Sequence, residues 1–165
     1  MEFPMMKKLS LALATAAVAT TANAADTLTL AQAKEIIAPF YDALNEPAKK
    51  DVAGLISKAT TDDWVTCGGE GLCLNREQLI SAFKGRGETI PDLRWEIRDV
   101  MVAGDRVIVR GQASGTPVKE FYGVPPTGKT FKIMSVDIQT IRDGRIAHSY
   151  HVEDWAGAIR QLTTH

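Results

Sequence analysis

The chain has 165 residues, of which 45% are hydrophobic and 24% are charged, and its formal net charge is −1. This length and composition predict one globular domain and exclude a disordered or low-complexity chain. A nearly neutral chain offers no basic surface for nucleic acid or for an acidic membrane, so neither is expected as a partner. Two cysteines are too few for a disulfide scaffold or a four-thiolate zinc site.

The first 24 residues have the pattern of an export signal. Lys7 and Lys8 precede an apolar run from Leu9 to Val18, and Ala22-Asn23-Ala24 has the small-x-small form of a signal-peptidase site. The run is shorter than the roughly 20 residues that a transmembrane helix needs, so no stable membrane association is expected. We predict a secretory signal peptide over residues 1–24, in which residues 1–5 are either an upstream start of the signal or extra residues ahead of it. Residues 25–165 would then form a single secreted or periplasmic domain.

The two cysteines lie close together around a glycine-rich segment. Cys67 and Cys73 flank Gly68-Gly69-Glu70-Gly71-Leu72, which is typical of a tight loop. In an oxidising compartment the pair is expected to form a local disulfide. The alternative is a redox or metal-binding pair, but neither the ligand spacing nor a neighbouring histidine favours it. The three histidines also lack a metal-ligand spacing, so no metal and no cofactor are expected.

The first half of the domain reads as helical. Thr29 with Gln32 and Asn75 with Gln78 form capping boxes that would begin two helices, and a second short helix is predicted near residues 51–58. The helix that begins at Asn75 is expected to end at two glycines, Gly85 and Gly87.

From residue 92 onward the pattern favours strands. Four β-rich runs, at residues 93–103, 106–114, 131–142 and 145–154, are joined in pairs by Gly104-Asp105 and Asp143-Gly144, which are hairpin turn sequences. A short closing helix follows. Helices followed by an antiparallel meander predict an α+β fold in which helices cover one face of a curved sheet.

The register of the last hairpin makes a chemical prediction. If Asp143-Gly144 form the turn, Asp137 lies opposite Tyr150 and Gln139 lies opposite His148, and directly opposed residues share a face. One face would then carry Phe131, Ile133, Ser135, Asp137, Gln139, His148, Tyr150, Val152 and Asp154. The other would carry Met134, Val136, Ile138, Ala147, Ser149, His151 and Glu153.

The first of these faces has the composition of a ligand pocket. It combines apolar side chains with two carboxylates, an imidazole and a phenol, and a carboxylate buried there would have a raised pKa suited to proton transfer. The alternative is that this face is exposed and the second face is the core. A one-residue slip of the hairpin would exchange the two faces.

Several short motifs in a fixed order resemble a known family. They include Pro91-Asp92-Leu93, the segment from Phe121 to Lys129, Asp143-Gly144-Arg145-Ile146, and Asp154 followed by Gln161-Leu162. Together they resemble the SnoaL-like polyketide cyclase (ester cyclase) family of the nuclear-transport-factor-2-like superfamily. The resemblance implies a cone-shaped α+β barrel, with N-terminal helices packed on a strongly curved sheet around a deep pocket.

The resemblance also implies site residues and partners. Asp154 matches the aspartate that acts as general acid/base in the family's aldol ring closure, and Asp137 and His148 are candidates to orient the substrate. Tyr150, Ser135, Ile133, Trp64 and Tyr41 would line the pocket, and Trp95 would lie near its mouth. For both tryptophans the alternative is a place in the core, where the tryptophans of small α+β domains are more often found. His151 is expected to point away. The family uses no cofactor, and its members commonly form homodimers or higher homo-oligomers through the outer face of the sheet.

Three functional hypotheses follow from the sequence. The first is a cofactor-independent acid/base enzyme, a cyclase, isomerase or related lyase, that acts on a small hydrophobic carbonyl compound through Asp154. The second is an exported protein that binds such a molecule without turnover. The third is a dimeric interaction domain. The enzyme hypothesis requires a buried Asp154 at the end of a cavity.

Overall fold

A computed structural model describes residues 28–164, and the predicted signal peptide lies outside them. Its helices and strands follow one another in this order: α1 Leu30–Ala43, a 3-10 turn Pro47–Lys49, α2 Val52–Ala59, β1 Thr60–Gly69, β2 Leu72–Asn75, α3 Arg76–Thr89, β3 Arg94–Ala103, β4 Arg106–Gly115, β5 Phe131–Arg142, β6 Arg145–Glu153 and α4 Trp155–Thr163.

The six strands form one open, curved sheet in the order β2-β1-β6-β5-β4-β3. Neighbouring strands are antiparallel except β1 and β6, which run parallel. The four predicted strands and their antiparallel meander are confirmed, and the sheet is extended by β1, which runs parallel to β6, and by β2. β1 begins in a polar sequence and ends in Gly68 and Gly69, and β2 directly follows Gly71, so this segment suggested only a loop.

The helices pack on the concave face of the sheet and enclose the core. The predicted capping boxes at Thr29 and Asn75 are both formed, and Asp51 caps α2. Core side chains come from α1, α2 and the inward-facing positions of the strands, for example Ile37, Ile56, Trp64, Val109 and Phe131. The α+β fold predicted from the sequence is confirmed. Within residues 28–164, no helix combines the length and the apolar character that crossing a bilayer requires.

The two glycines of α3 do not end the helix, contrary to the sequence prediction. The helix continues through Gly85 and Gly87 to Thr89. Gly87 is buried, and a Cβ atom at this position would lie 2.6 Å from the backbone nitrogen of Ala48. Gly87 therefore allows α3 to pack closely against the 3-10 turn.

The outer face of the sheet carries exposed apolar side chains on several strands. Met101, Met134 and Val152 are all about half exposed or more. A homo-oligomer that uses this face remains a prediction.

The predicted disulfide is present. Cys67 lies opposite Cys73 in the β1–β2 hairpin, and their sulfur atoms are bonded. The bond closes a short loop, which includes Gly71 with a positive φ of 71°. It fixes the hairpin at the edge of the sheet, next to β6.

We expect removal of this disulfide to destabilise the protein by about 2 kcal/mol, because a loop of this length confines the unfolded chain only moderately. The double variant Cys67→Ala/Cys73→Ser and its parent are compared by urea unfolding with and without dithiothreitol. Reductant should lower the stability of the wild-type protein and leave the double variant unchanged. Equal stability of the oxidised wild type and the double variant would contradict the prediction.

Candidate functional site

The pairing of β5 with β6 determines which side chains face the interior. Next to the turn, Arg142 lies opposite Arg145 as predicted, but the register shifts between Thr140 and Ile141. Beyond this irregularity Asp137 lies opposite His151, and Gln139 lies opposite Ser149. The prediction for β5 is therefore right, whereas the predicted face of β6 is reversed.

This shift corrects the placement of several predicted pocket residues. Tyr150 and Val152 point to the outer face and are exposed, and His148 is half-buried against Cys67 on the same side. The inner face of β6 instead presents Ser149, His151 and Glu153. His151, which was predicted to point away from the pocket, faces inward.

Asp154 does not have the environment expected of it. It is the N-cap of α4: its Oδ1 accepts a hydrogen bond from the backbone N–H of Gly157 at 2.8 Å. Its side chain is 52% exposed, with Arg160 Nη2 at 3.8 Å from Oδ2. The expectation of a buried Asp154 at the end of a cavity is wrong, because the helix begins directly after the strand and its free N–H groups bind the carboxylate.

A partly open cavity lies between α3, the edge of the sheet and the start of α4. Its volume is about 180 Å³. Apolar and aromatic side chains form most of its wall, and Arg86, His151 and Glu153 complete it. The other lining residues are Leu74, Leu79, Ala82, Phe83, Trp95, Tyr122 and Trp155. Apolar walls with a few polar groups are typical of a small-molecule site.

His151 and Glu153 form a hydrogen-bonded pair in this wall. His151 Nδ1 lies 2.8 Å from Glu153 Oε1. The hydrogen bond to the Glu153 carboxylate raises the pKa of His151 above its ordinary value of 6.5, although partial burial opposes this. Because Nδ1 is bonded to Glu153, Nε2 is the ring nitrogen left to exchange a proton with a ligand.

Behind this pair lies a second, fully buried one. Tyr41 donates its hydroxyl hydrogen to Asp137 Oδ2 at 2.8 Å. Burial raises the pKa of Asp137 to about 6, and the hydrogen bond from Tyr41 partly offsets the rise. The pKa of the Tyr41 hydroxyl is also raised, mainly by burial and then by the Asp137 charge. Asp137 and Tyr41 are not in the cavity wall but lie beneath it. Asp137 on β5 is the direct pairing partner of His151 on the neighbouring strand β6.

Three other predicted pocket residues belong to the core. Trp64 is 1% exposed and donates its indole N–H to Ser149 Oγ at 2.9 Å. Ser135 accepts a hydrogen bond from the indole of Trp95 at 3.0 Å, and Ile133 is buried beside it. Trp95 does line the cavity, as one of its two sequence interpretations had it.

Arg86 and Glu153 line the cavity but were not predicted to do so. Glu153 could have been found from the alternation of His151 and Glu153 with outward-facing residues, once the correct register was known. Arg86 lies among polar helical residues and carried no signal. Among the described residues, no group of three or more potential metal ligands is close enough to hold an ion.

Comparison with known proteins places this chain in a family. The sequence profile of the SnoaL-like polyketide cyclases matches residues 35–162. The chain belongs to this SnoaL-like family. No curated protein sequence matches it.

Several solved structures share its architecture. TsrD from Streptomyces laurentii is 26% identical, with a TM-score of 0.71 over 82% of this chain and 98% of that one. IdmH from Streptomyces antibioticus, proposed as a polyketide cyclase, is 28% identical, with a TM-score of 0.71 over 81% and 99%. AclR from Streptomyces galilaeus, proposed as a hydroxylase, is 25% identical, with a TM-score of 0.69 over 81% and 97%.

Proposed function

We propose that this SnoaL-like protein is an exported, cofactor-independent acid/base enzyme of the cyclase or isomerase type. Its substrate would be a small hydrophobic carbonyl compound, and His151, oriented by Glu153, would transfer the proton. The observation that carries the proposal is the hydrogen-bonded His151–Glu153 pair in the wall of a mostly apolar cavity. Family membership supports the reaction type, and Asp154 is replaced in the catalytic role because it is exposed and caps a helix.

The geometry supports a two-step proton transfer. Neutral His151 removes a hydrogen from the carbon next to a carbonyl group; the C–H bond breaks, and its electron pair moves to the carbonyl oxygen to give an enolate. The resulting imidazolium is stabilised by the Glu153 carboxylate. In a cyclisation, the enolate carbon then attacks a second carbonyl of the same molecule. The new alkoxide takes a proton from the His151 imidazolium, so the side chain is regenerated.

Apolar walls serve this chemistry in two ways. They bind the hydrocarbon part of the substrate, and they keep water from competing for the enolate. Trp95, Phe83 and Leu79 provide such surfaces in the cavity wall.

The proton-transfer step can be tested before the natural substrate is known. We expect the protein to accelerate exchange of the α-hydrogens of 1-tetralone, an aromatic ketone, in D2O, as followed by proton NMR. The rate per molecule should exceed that of imidazole at equal concentration. It should also rise with pH through a midpoint above 6.5, because only neutral His151 is a base and its pKa is raised. A rate no greater than that of free imidazole would contradict the proposal.

A further inference from the structure

Arg86 occupies an unusual position at one end of the cavity. It projects from the last turn of α3 into a group of three aromatic rings, which we call the aromatic box: Phe121, Tyr122 and Trp155. The guanidinium carbon lies 4.9 Å from the ring centre of Trp155, 5.3 Å from that of Phe121 and 5.7 Å from that of Tyr122. Stacking on aromatic faces stabilises a cation but provides no hydrogen-bond acceptor.

The hydrogen-bonding capacity of Arg86 is unfilled. Its Nη1 is buried and has no hydrogen-bond partner, and among residues 28–164 no carboxylate lies within 4.0 Å of the guanidinium. A guanidinium carries five N–H donors in a fixed fork, and buried donors of a charged group that lack acceptors are costly. Arginine in such a position is suited to bind the two oxygens of a carboxylate.

The carboxylate that lines the same cavity is already engaged. Glu153 is hydrogen-bonded to His151, so the two cancel in charge when the imidazole is protonated. Arg86 has no ion-pair partner among the described lining residues, because the one carboxylate among them is bound by His151. A ligand that brings its own negative charge to this end would neutralise the site.

The walls specify the rest of the ligand. Trp95, Trp155 and Phe83 line the cavity, and Tyr122 joins it to the aromatic box. Flat aromatic side chains bind flat, conjugated ligands most favourably.

From this geometry we infer that the cavity binds a planar aromatic carboxylate, with the carboxylate on Arg86 and the ring system between the aromatic walls. The inference rests on the proposed function only in using the same cavity, and it names the class of compound that the cavity takes. It concerns binding, which can be measured without turnover.

The test uses 2-naphthoate as the probe and 2-naphthamide as its uncharged counterpart. Binding to the full protein is measured by isothermal titration calorimetry at neutral pH, with quenching of tryptophan fluorescence as a second readout. We expect 2-naphthoate to bind about 10- to 100-fold more tightly than 2-naphthamide, the range for a charge-assisted hydrogen bond. Equal affinities, or no binding of 2-naphthoate, would overturn the inference.

Variants of α3 separate a ligand-binding role from a purely structural one. Arg86→Gln should weaken 2-naphthoate by about the same 10- to 100-fold and change 2-naphthamide by less than about threefold. Lys84→Gln, which removes an exposed positive charge from the same helix, should change neither probe. Equal losses for both probes in Arg86→Gln would show that Arg86 only supports the aromatic box, and would overturn the inference.

Two further outcomes are defined in advance. If Arg86→Gln does not fold, the comparison of the two probes on wild-type protein still decides, together with Arg86→Lys, which should retain part of the preference for 2-naphthoate. Binding of 2-naphthoate without tetralone exchange would support this inference and contradict the proposed enzyme, leaving a binding protein. Exchange without a preference for the carboxylate would do the reverse.

Discussion

Replacing His151 by glutamine is expected to slow tetralone exchange by about 100- to 10,000-fold, the usual contribution of a positioned general base. Glutamine preserves the approximate size and polarity of the side chain and can still hydrogen-bond to Glu153, but it cannot accept a proton from carbon. Because His151 is only partly buried, we expect the variant to fold. The loss should appear in kcat rather than in KM, since the hydrophobic walls that bind the probe are unchanged.

Two control variants sharpen this experiment. His148→Gln removes an imidazole three residues away on the same strand, but this one faces outward beside Cys67, so its exchange rate should match that of the wild type. Asp154→Asn tests the role implied by family resemblance. Asparagine is an equally good N-cap, so the fold should be kept and exchange should change by less than about twofold, well below the contribution of a general base. A large loss in Asp154→Asn with none in His151→Gln would return the catalytic role to Asp154.

Replacing Asp137 by asparagine is expected to change how stability depends on pH. The pKa of Asp137 is raised from 3.8 to about 6 by burial, so between these values the folded protein holds a proton that the unfolded chain has lost. Stability therefore falls as pH rises through this window. At 1.36 kcal/mol for each pKa unit, ionisation of the buried carboxyl costs on the order of 2–3 kcal/mol above pH 6.

Asparagine avoids this cost and can still accept the hydrogen bond from Tyr41. The stability of Asp137→Asn relative to wild type should therefore be more favourable at pH 8 than at pH 4 by on the order of 2–3 kcal/mol, as measured by urea unfolding at both values. Asp99→Asn, an exposed aspartate on β3, serves as the control and should show no such difference. The same pH dependence in wild type and Asp137→Asn would rule out a raised pKa at this position.

Most of the architecture could be predicted from the sequence because it depends on local chemistry. Capping residues at Thr29 and Asn75 begin helices wherever an apolar periodicity follows, and Asp143-Gly144 forms a tight turn through its own backbone preferences. The first two strands were missed for a related reason. The partner of β1 is β6, which lies some eighty residues away, and short-range patterns carry no information on such a pairing. β2 pairs only with β1, so it was missed together with that strand.

The site could not be predicted because it depends on one register shift. The sequence pattern of β6 alternates equally well on either face, and only the irregularity between Thr140 and Ile141 decides that His151 and Glu153 face inward. Such an irregularity results from packing across the whole sheet. For Asp154, the sequence places a helix directly after the strand. It does not show that the carboxylate caps this helix and is exposed.

Gly68 lies directly against the ring of His151. A Cβ atom at residue 68 would lie 3.1 Å from the Cε1 atom of the ring, so the glycine allows the imidazole to pack against the backbone of β1 more closely than a larger residue would. The imidazole also lines the surface cleft beside the disulfide hairpin. Its proton can therefore equilibrate with solvent while a ligand still fills the cavity. In a catalytic cycle this would uncouple resetting of the base from release of the product, and an isotope-labelled hydrogen would be lost to water rather than returned to the same molecule.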